Sequence, residues 1–252
     1  MKLLTLARDL QRRKARERQR LFVCEGVRVV EELVRADFPV RGALVSPQAV
    51  AAARASAAAG ALRARGVEVL EVSEREFASA AETDSPQGIL AIAEIPDRTV
   101  GNLVLGDPAR LLVLDGVQDP GNAGTILRTA AALEATATLA LPGTVDLWNA
   151  KVVRSAMGAH FLHPAISCTW EELDALRDRQ QVALWAADAA GEPVERAPIP
   201  SRLALVVGNE GAGITAATRD RADHLVALPI APSVESLNVA VAAGILLYAL
   251  RR

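Results

Sequence analysis

Leu111-Leu112-Val113-Leu114-Asp115-Gly116-Val117-Gln118-Asp119-Pro120-Gly121-Asn122-Ala123-Gly124-Thr125-Ile126-Leu127-Arg128 is the stretch on which the fold turns. Four consecutive apolar residues predict a strand buried on both faces, because a half-exposed strand would alternate apolar with polar. Asp-Pro-Gly then ends the run, since proline presets φ for a turn and removes a backbone donor. A helix follows, with Asn122 as its expected cap. The same strand type recurs at Thr138-Leu139-Ala140-Leu141, Val182-Ala183-Leu184-Trp185, Leu203-Ala204-Leu205-Val206-Val207 and Leu225-Val226-Ala227-Leu228, with helical stretches between. This alternation predicts a parallel sheet covered on both faces, with a ligand site beyond the carboxyl ends of its strands.

Toward the amino end the pattern is that of a smaller α/β unit. Val27 to Ala36 reads as a helix opened by Gly26, Gly42 to Val45 as a strand, and Pro47 to Arg65 as an alanine-rich helix. Strands are expected at Val67 to Val72 and, after the turn-forming Asp84-Ser85-Pro86, at Gly88 to Ala93. Pro96 to Pro108 has no clear hydrophobic period and contains Gly101 and Gly106. The expected organisation is therefore a unit over 1–95, a linker over 96–108 and a second unit over 109–252.

Composition narrows the function classes. A charged fraction of 23% beside a hydrophobic fraction of 51% describes a folded globular chain and not a disordered one. No apolar run approaches the ~20 residues that cross a bilayer, and the basic amino end lacks the apolar stretch of a secretory signal. A cytoplasmic protein without a membrane partner is expected. Cys24 and Cys168 have neither each other nor paired histidines nearby, so neither a disulfide framework nor a metal site is expected.

The net charge of −2 argues at first against a nucleic-acid partner, but the average conceals an asymmetry. Residues 1–20 carry eight basic side chains against Asp9 and Glu17. Arg12, Arg13, Lys14, Arg16, Arg18 and Arg20 form either a solvated helix face or a basic arm.

Two more segments sit at strand ends. Val206-Val207-Gly208-Asn209-Glu210-Gly211-Ala212-Gly213-Ile214 has its glycines in the order G-x-x-G-x-G, which is neither a dinucleotide fingerprint nor a nucleoside-triphosphate loop. What it offers is a backbone able to approach a ligand closely at Gly208, with the Glu210 carboxylate beside it. Leu228-Pro229-Ile230-Ala231-Pro232-Ser233-Val234-Glu235-Ser236-Leu237-Asn238 is a proline-stiffened loop in which Ser236 or Asn238 caps an apolar helix. Small residues in that helix suit close packing or a dimer interface.

In this order, the three segments resemble the SpoU, or TrmH-like, branch of the SPOUT RNA methyltransferases over about residues 110–252. Lys151-Val152-Val153-Arg154-Ser155-Ala156-Met157-Gly158-Ala159 is similar to that family's helix between the first two motifs. Phe22-Val23-Cys24-Glu25-Gly26 and Asp84-Ser85-Pro86-Gln87-Gly88 resemble its ribosomal-protein-like RNA-binding domain. The resemblance implies an α/β fold with a deep trefoil knot, a homodimer, and S-adenosylmethionine bound by Gly208, Leu228, Ile230 and Leu237. It further implies methylation of a ribose 2′-hydroxyl in structured RNA, with ribosomal RNA favoured over transfer RNA. By position, Arg128 matches the catalytic arginine, while Asn122, Glu210, Ser236 and Asn238 would organise the site. Arginine is a poor base, so Arg128 is expected to stabilise the developing alkoxide, and the proton acceptor stays open between Arg128, Glu210 and a substrate phosphate. A substrate RNA gives the basic run at residues 12–20 a partner. The competing readings are a transfer-RNA ribose methyltransferase, a catalytically silent RNA-binding or ribosome-assembly protein, and a small-molecule methyltransferase.

Overall fold

The computed structural model describes residues 3–251. Helix α1 (Leu3–Asp9) and helix α2 (Arg13–Gln19) are followed by β1 (Leu21–Glu25), α3 (Val27–Arg35), β2 (Val40–Val45), α4 (Pro47–Ala51), α5 (Ala53–Ala64), β3 (Val69–Glu71), α6 (Glu74–Ala78) and β4 (Ile89–Glu94). The sheet order is β1-β4-β2-β3, with β4 antiparallel to both of its neighbours. Period-two geometry explains why β4 is apolar throughout. Its Ile89, Ala91 and Ala93 enter a core with Phe22, Leu33 and Leu62, and its Leu90 and Ile92 enter a second core with Leu6, Leu10 and Phe77.

The amino end is not a free arm. Leu3, Leu6, Ala7 and Leu10 fall at helical spacing and are buried in that second core, which fixes the two helices and their basic residues to the unit. The expected helix from Pro47 to Arg65 is interrupted at Ala52, whose backbone is extended (φ −90°, ψ 117°). An alanine-rich run favours helix at each position and carries no signal for a break imposed by packing.

The second unit contains β5 (Ala109–Asp115), α7 (Pro120–Ala132) and β6 (Ala137–Ala140). After α8 (Ala150–Ser155) and α9 (Ala159–Leu162) come β7 (Ala165–Ser167), α10 (Trp170–Gln180), β8 (Ala183–Pro193), β9 (Arg202–Gly208), α11 (Ala216–Arg221), β10 (His224–Ala227) and α12 (Val239–Leu250). The six strands lie in the order β10-β8-β9-β5-β6-β7, parallel throughout. Chain order reverses at β5, since β6 and β7 extend the sheet on one side and β8, β9 and β10 on the other. The loops after β5 and β9 thus stand side by side at a topological switch point, where open sheets of this class place ligands.

The structure differs from the expected linear division in one respect. Its compact units are residues 1–97 with 148–162, and residues 98–147 with 163–252. Val153 and Phe161 are buried in the core of the first unit, where Trp148 stacks on Phe22 at 4.6 Å between ring centroids and Phe161 lies 5.0 Å from Phe38. Helices α8 and α9, expected within 109–252, therefore belong to the smaller unit. An apolar helix face does not state in its own pattern which core it will complete.

Candidate active site

The loop after β5 enters α7 through Asp119, not through Asn122. Asp119 has extended backbone and its Oδ1 accepts from the Asn122 amide at 2.7 Å, while Pro120 occupies the first helical turn. Proline there loses nothing, because that amide has no intrahelical acceptor. The correction matters chemically: Asn122 lies inside the first turn, and its side chain is available for other partners. Its Nδ2 donates to Glu210 Oε1 at 3.0 Å, and its Oδ1 accepts from Asn238 Nδ2 at 2.9 Å. Asn238 in turn caps α12, its Oδ1 accepting from the amides of Ala240 and Val241. Three loops are thereby joined through Glu210, Asn122 and Asn238.

Glu210 is the hub. Its carboxylate accepts from the amides of Gln118 (3.3 Å) and Asp119 (3.1 Å), from Asn122 and from Asn209 Nδ2 (3.3 Å). Burial pushes its pKa up, but the hydrogen bonds from Asn122 and from the backbone of Glu210, Asp119 and Gln118 outweigh burial and leave the carboxyl below its ordinary value. It is ionised at neutral pH, and the donors that hold it make it a weaker proton acceptor. Arg128 is not among its hydrogen-bond or ion-pair partners.

Two residues that sequence reasoning left aside hold this loop in shape. Asn209 donates to the Gly116 carbonyl (2.9 Å) and accepts from the amides of Gly211 (2.9 Å) and Ala212 (3.0 Å). Buried Asp115 accepts from the Thr215 amide (2.7 Å) and the Thr218 hydroxyl (2.5 Å). Gly208 also has a different reason from the one expected. A Cβ there would lie 2.2 Å from the carbonyl carbon of Gly213 and 2.3 Å from the Ile214 nitrogen, so its close approach is to the chain's own backbone.

At these strand ends a cavity of about 380 Å³ opens. Gly208, Leu228, Ile230 and Leu237 all line it, as do Glu210 and Ser236. Asp188 and Glu235, not anticipated from sequence, line it as well. No basic residue is among the lining groups, and Asp188 is paired with Arg219. The size falls within the range of small-molecule sites. Apolar side chains beside acidic groups fit S-adenosylmethionine, whose adenosine has an apolar face and whose sulfonium and amino groups are cationic.

The remaining expected residues are not drawn into this cavity's lining. Arg128 is exposed on α7, and among the described residues it has no hydrogen-bond or ion-pair partner. Arg12 and Arg18 both pair with Asp9, Arg13 with Glu17, and Arg20 with Asp97, all with exposed guanidinium groups, and Lys14 is exposed. Arg16 departs from the expectation of RNA contact. It is 4% exposed and donates through Nη1 to the carbonyls of Leu10 (2.7 Å) and Gln11 (2.9 Å), which satisfies acceptors left open where α1 ends.

Residues 109–248 match the model of the SpoU rRNA Methylase family, which is more than half of the chain. The chain belongs to the SpoU rRNA methylase family. Residues 5–91 match the MRM3-like substrate binding domain. The chain is 34% identical over 245 residues to the 23S rRNA (guanosine(2553)-2′-O)-methyltransferase RlmP of Bacillus subtilis, covering 97% of this chain and 94% of that one. It is 39% identical over 195 residues to the 23S rRNA (guanosine-2′-O-)-methyltransferase RlmB of Ralstonia nicotianae, covering 75% and 78%. Among solved structures, the SpoU methyltransferase AviRb of Streptomyces viridochromogenes in complex with AdoMet superposes with a TM-score of 0.89 at 28% identity, over 100% of this chain and 97% of that one. The AdoMet-bound rRNA methyltransferase of Sinorhizobium meliloti gives 0.85 at 29% identity, over 99% and 94%. As a SpoU methylase the protein uses S-adenosylmethionine to methylate a ribose 2′-hydroxyl of RNA.

Proposed function

We propose that this SpoU methylase acts on large-subunit ribosomal RNA, and that Gly208, Leu228, Ile230 and Leu237 hold its cofactor. The observation that carries the site assignment is the Glu210–Asn122–Asn238 chain of hydrogen bonds, which ties three loops together at the cavity lined by those four residues. The bound cofactor supplies an electrophilic methyl group on a sulfonium centre. The chain's own residues supply position and charge. Glu210 fixes the loop after β5 against the loop after β9, a positioning role that its low pKa and filled acceptors favour over proton abstraction. Asn122 and Asn238 set the start of α7 against the start of α12. Ser236, at the cavity wall, is the hydroxyl placed to orient the cofactor or the incoming ribose. Arg128, with no hydrogen-bond or ion-pair partner among the described residues, stabilises the developing alkoxide, alone or with a substrate phosphate, while the 2′-proton passes to that phosphate or to water and the methyl group leaves the sulfonium for the ribose oxygen.

The finer assignments belong to the same reading. The trefoil threading is supported by the likeness to a SpoU methyltransferase structure over the whole chain. Val241, Ile245 and Tyr248 form an exposed apolar stripe at helical spacing on α12, and a second copy of the chain is its natural cover. Residues 1–97 with 148–162 serve as the substrate-RNA unit, with Arg12, Arg13, Lys14, Arg18 and Arg20 as its exposed charges. No helix among the described residues is long and apolar enough to cross a membrane, and ribosomal RNA as substrate favours a cytoplasmic site of action. The sulfonium itself activates the methyl group, which leaves no step for a metal.

The test is transfer of labelled methyl from S-adenosylmethionine to purified 23S, 16S and transfer RNA, followed by nucleotide mapping. Label on a ribose of 23S RNA is expected, with Arg128→Ala losing at least about a hundredfold in rate while binding cofactor normally. Label on transfer RNA or on a base overturns the substrate assignment, and undiminished Arg128→Ala activity overturns the role of that residue.

A further inference from the structure

A second cavity, of about 270 Å³, lies wholly within the smaller unit. Glu25, Arg28, Thr83, Ser85, Gln87 and Arg154 are among its lining residues. Three stretches far apart in sequence, Phe22 to Gly26, Asp84 to Gly88 and Lys151 to Ala159, meet here, and nothing in the methyl-transfer site uses them.

The cavity wall carries two guanidinium groups and one carboxylate. Glu25 is 2% exposed and its two oxygens are already engaged, by the Glu82 amide at 2.9 Å and by the Thr83 hydroxyl. Arg154 Nη1 stands 3.9 Å from Glu25 Oε2, near enough for attraction and too far for a hydrogen bond. That nitrogen is sealed from solvent and lacks a hydrogen-bond partner among the described residues. The one-third of the Arg154 side chain that stays exposed belongs to the cavity lining, where an anion adds hydrogen bonds that Glu25 does not supply. Arg28 adds a second positive charge, exposed and without an ion pair among the described residues, while the nearby Glu31 and Glu32 are already paired with Arg54 and Arg35. Helix α3 also starts here. Its cap is Gly26, which has no side chain to offer, and Gln87 Oε1 takes the Val27 amide, leaving the next first-turn amides without a side-chain acceptor. Two guanidinium groups and a helix amino terminus thus share one carboxylate, which leaves the cavity with a surplus of positive charge.

We propose that this cavity seats a backbone phosphate of the RNA substrate, gripped by Arg28 and Arg154. The proposal rests on the reading of the smaller unit as the substrate-RNA unit and assigns that unit a specific anchor. It also gives α8 a purpose: the segment lies inside the stretch matching the methylase family model, yet it delivers Arg154 to the unit that matches a substrate binding domain. Arginine suits the task, because its planar fork pairs with two phosphate oxygens at once.

The experiment is filter binding of the full chain to deproteinised 23S RNA across a salt series, for wild type, Arg28→Gln, Arg154→Gln and the double variant. S-adenosylmethionine binding and thermal melting serve as controls. Each single variant is expected to weaken RNA binding about fivefold or more, and the double variant to flatten the slope of log affinity against log salt by about 0.9, the value for one phosphate contact on a duplex. Cofactor affinity stays at the wild-type value. Arg28 is exposed, so its variant remains a folded test even where Arg154→Gln melts early. Unchanged affinity and slope for Arg28→Gln and the double variant overturn the proposal while leaving the methylase reading intact. A wild type that binds no 23S RNA overturns both. A parallel series with inorganic phosphate separates the sources: phosphate that stabilises wild type and not the double variant, with RNA affinity equal in all four proteins, assigns the seat to a free anion and overturns the RNA contact.

Discussion

The two cavities of this chain are made from the same kind of part, the end of a buried strand running into a helix, yet they carry opposite charge. The one beside Gly208 is lined by Asp188, Glu210 and Glu235 and by no basic residue. The one beside Gly26 is lined by Arg28 and Arg154, with the only carboxylate already hydrogen-bonded. Similar backbone geometry thus leaves the choice of ligand to a few side chains. The acidic cavity suits a cationic methyl donor, and the basic cavity suits a polyanion.

The sharpest way to break this contrast is Gly208→Ala. A new Cβ would stand 2.2 Å from backbone that has no flexible end to move, so cofactor affinity is expected to fall more than a hundredfold and stability by about 3 kcal/mol or more. Calorimetry with S-adenosylmethionine and a urea melt measure this, and a variant that binds cofactor normally would show that the tight turn is dispensable. Phe161→Ala acts on the other unit by opening a hole beside Phe38. A loss of about 3–5 kcal/mol is expected by urea denaturation.

Glu210→Gln keeps shape and removes charge. Roughly a tenfold loss in methylation rate is expected, equivalent to ~1.4 kcal/mol, without loss of fold. Acid adds a second reading of the same residue. Its folded pKa lies below the ordinary carboxyl value of about 4.3, so its contribution is complete above that pH and is lost as pH falls through the folded value. Cofactor affinity of the wild type should therefore drop only below the ordinary carboxyl range, a step that Glu210→Gln lacks; a step at neutral or mildly acidic pH in both proteins would point to another group. An effect of similar size is expected from Gly26→Ala, where φ is +104° and a Cβ would meet Gln87 Oε1 at 3.2 Å. A cost of about 1–2 kcal/mol follows from the backbone alone, read by thermal melting.

Legibility in the sequence followed the strength of local signals. The five longer strands of the parallel sheet were readable because each contains a short, mainly apolar run, although β8 continues past Trp185 through Asp188, Gly191 and Glu192, whose polar pattern hid its second half; β7, with three residues, is too short to stand out. Asn122 was recognisable as a polar residue at a helix start, but the cap is Asp119. Pro120 was the clue, since proline favours the first helical position and so marks the residue before it as the cap. Leu3, Leu6, Ala7 and Leu10 already spelled a helix face, masked by the density of basic residues that made the segment look solvated. Arg16 was counted among those charges because burial of one arginine by two backbone carbonyls leaves no trace in composition. The pairing of Arg154 with Glu25 was out of reach, because it joins positions that only the folded chain brings together.

The interleaving of the units bears on how the chain is made. Synthesis delivers β4 by residue 94, and at that moment the core around Phe22 and Phe38 still lacks Trp148, Val153 and Phe161. Translation at about 5–20 residues per second leaves this apolar face open for several seconds while the first strands of the other sheet emerge. The amino-terminal unit is thus first to begin folding and not first to finish. A gene fragment ending at codon 97 would encode a product that never receives its closing helices.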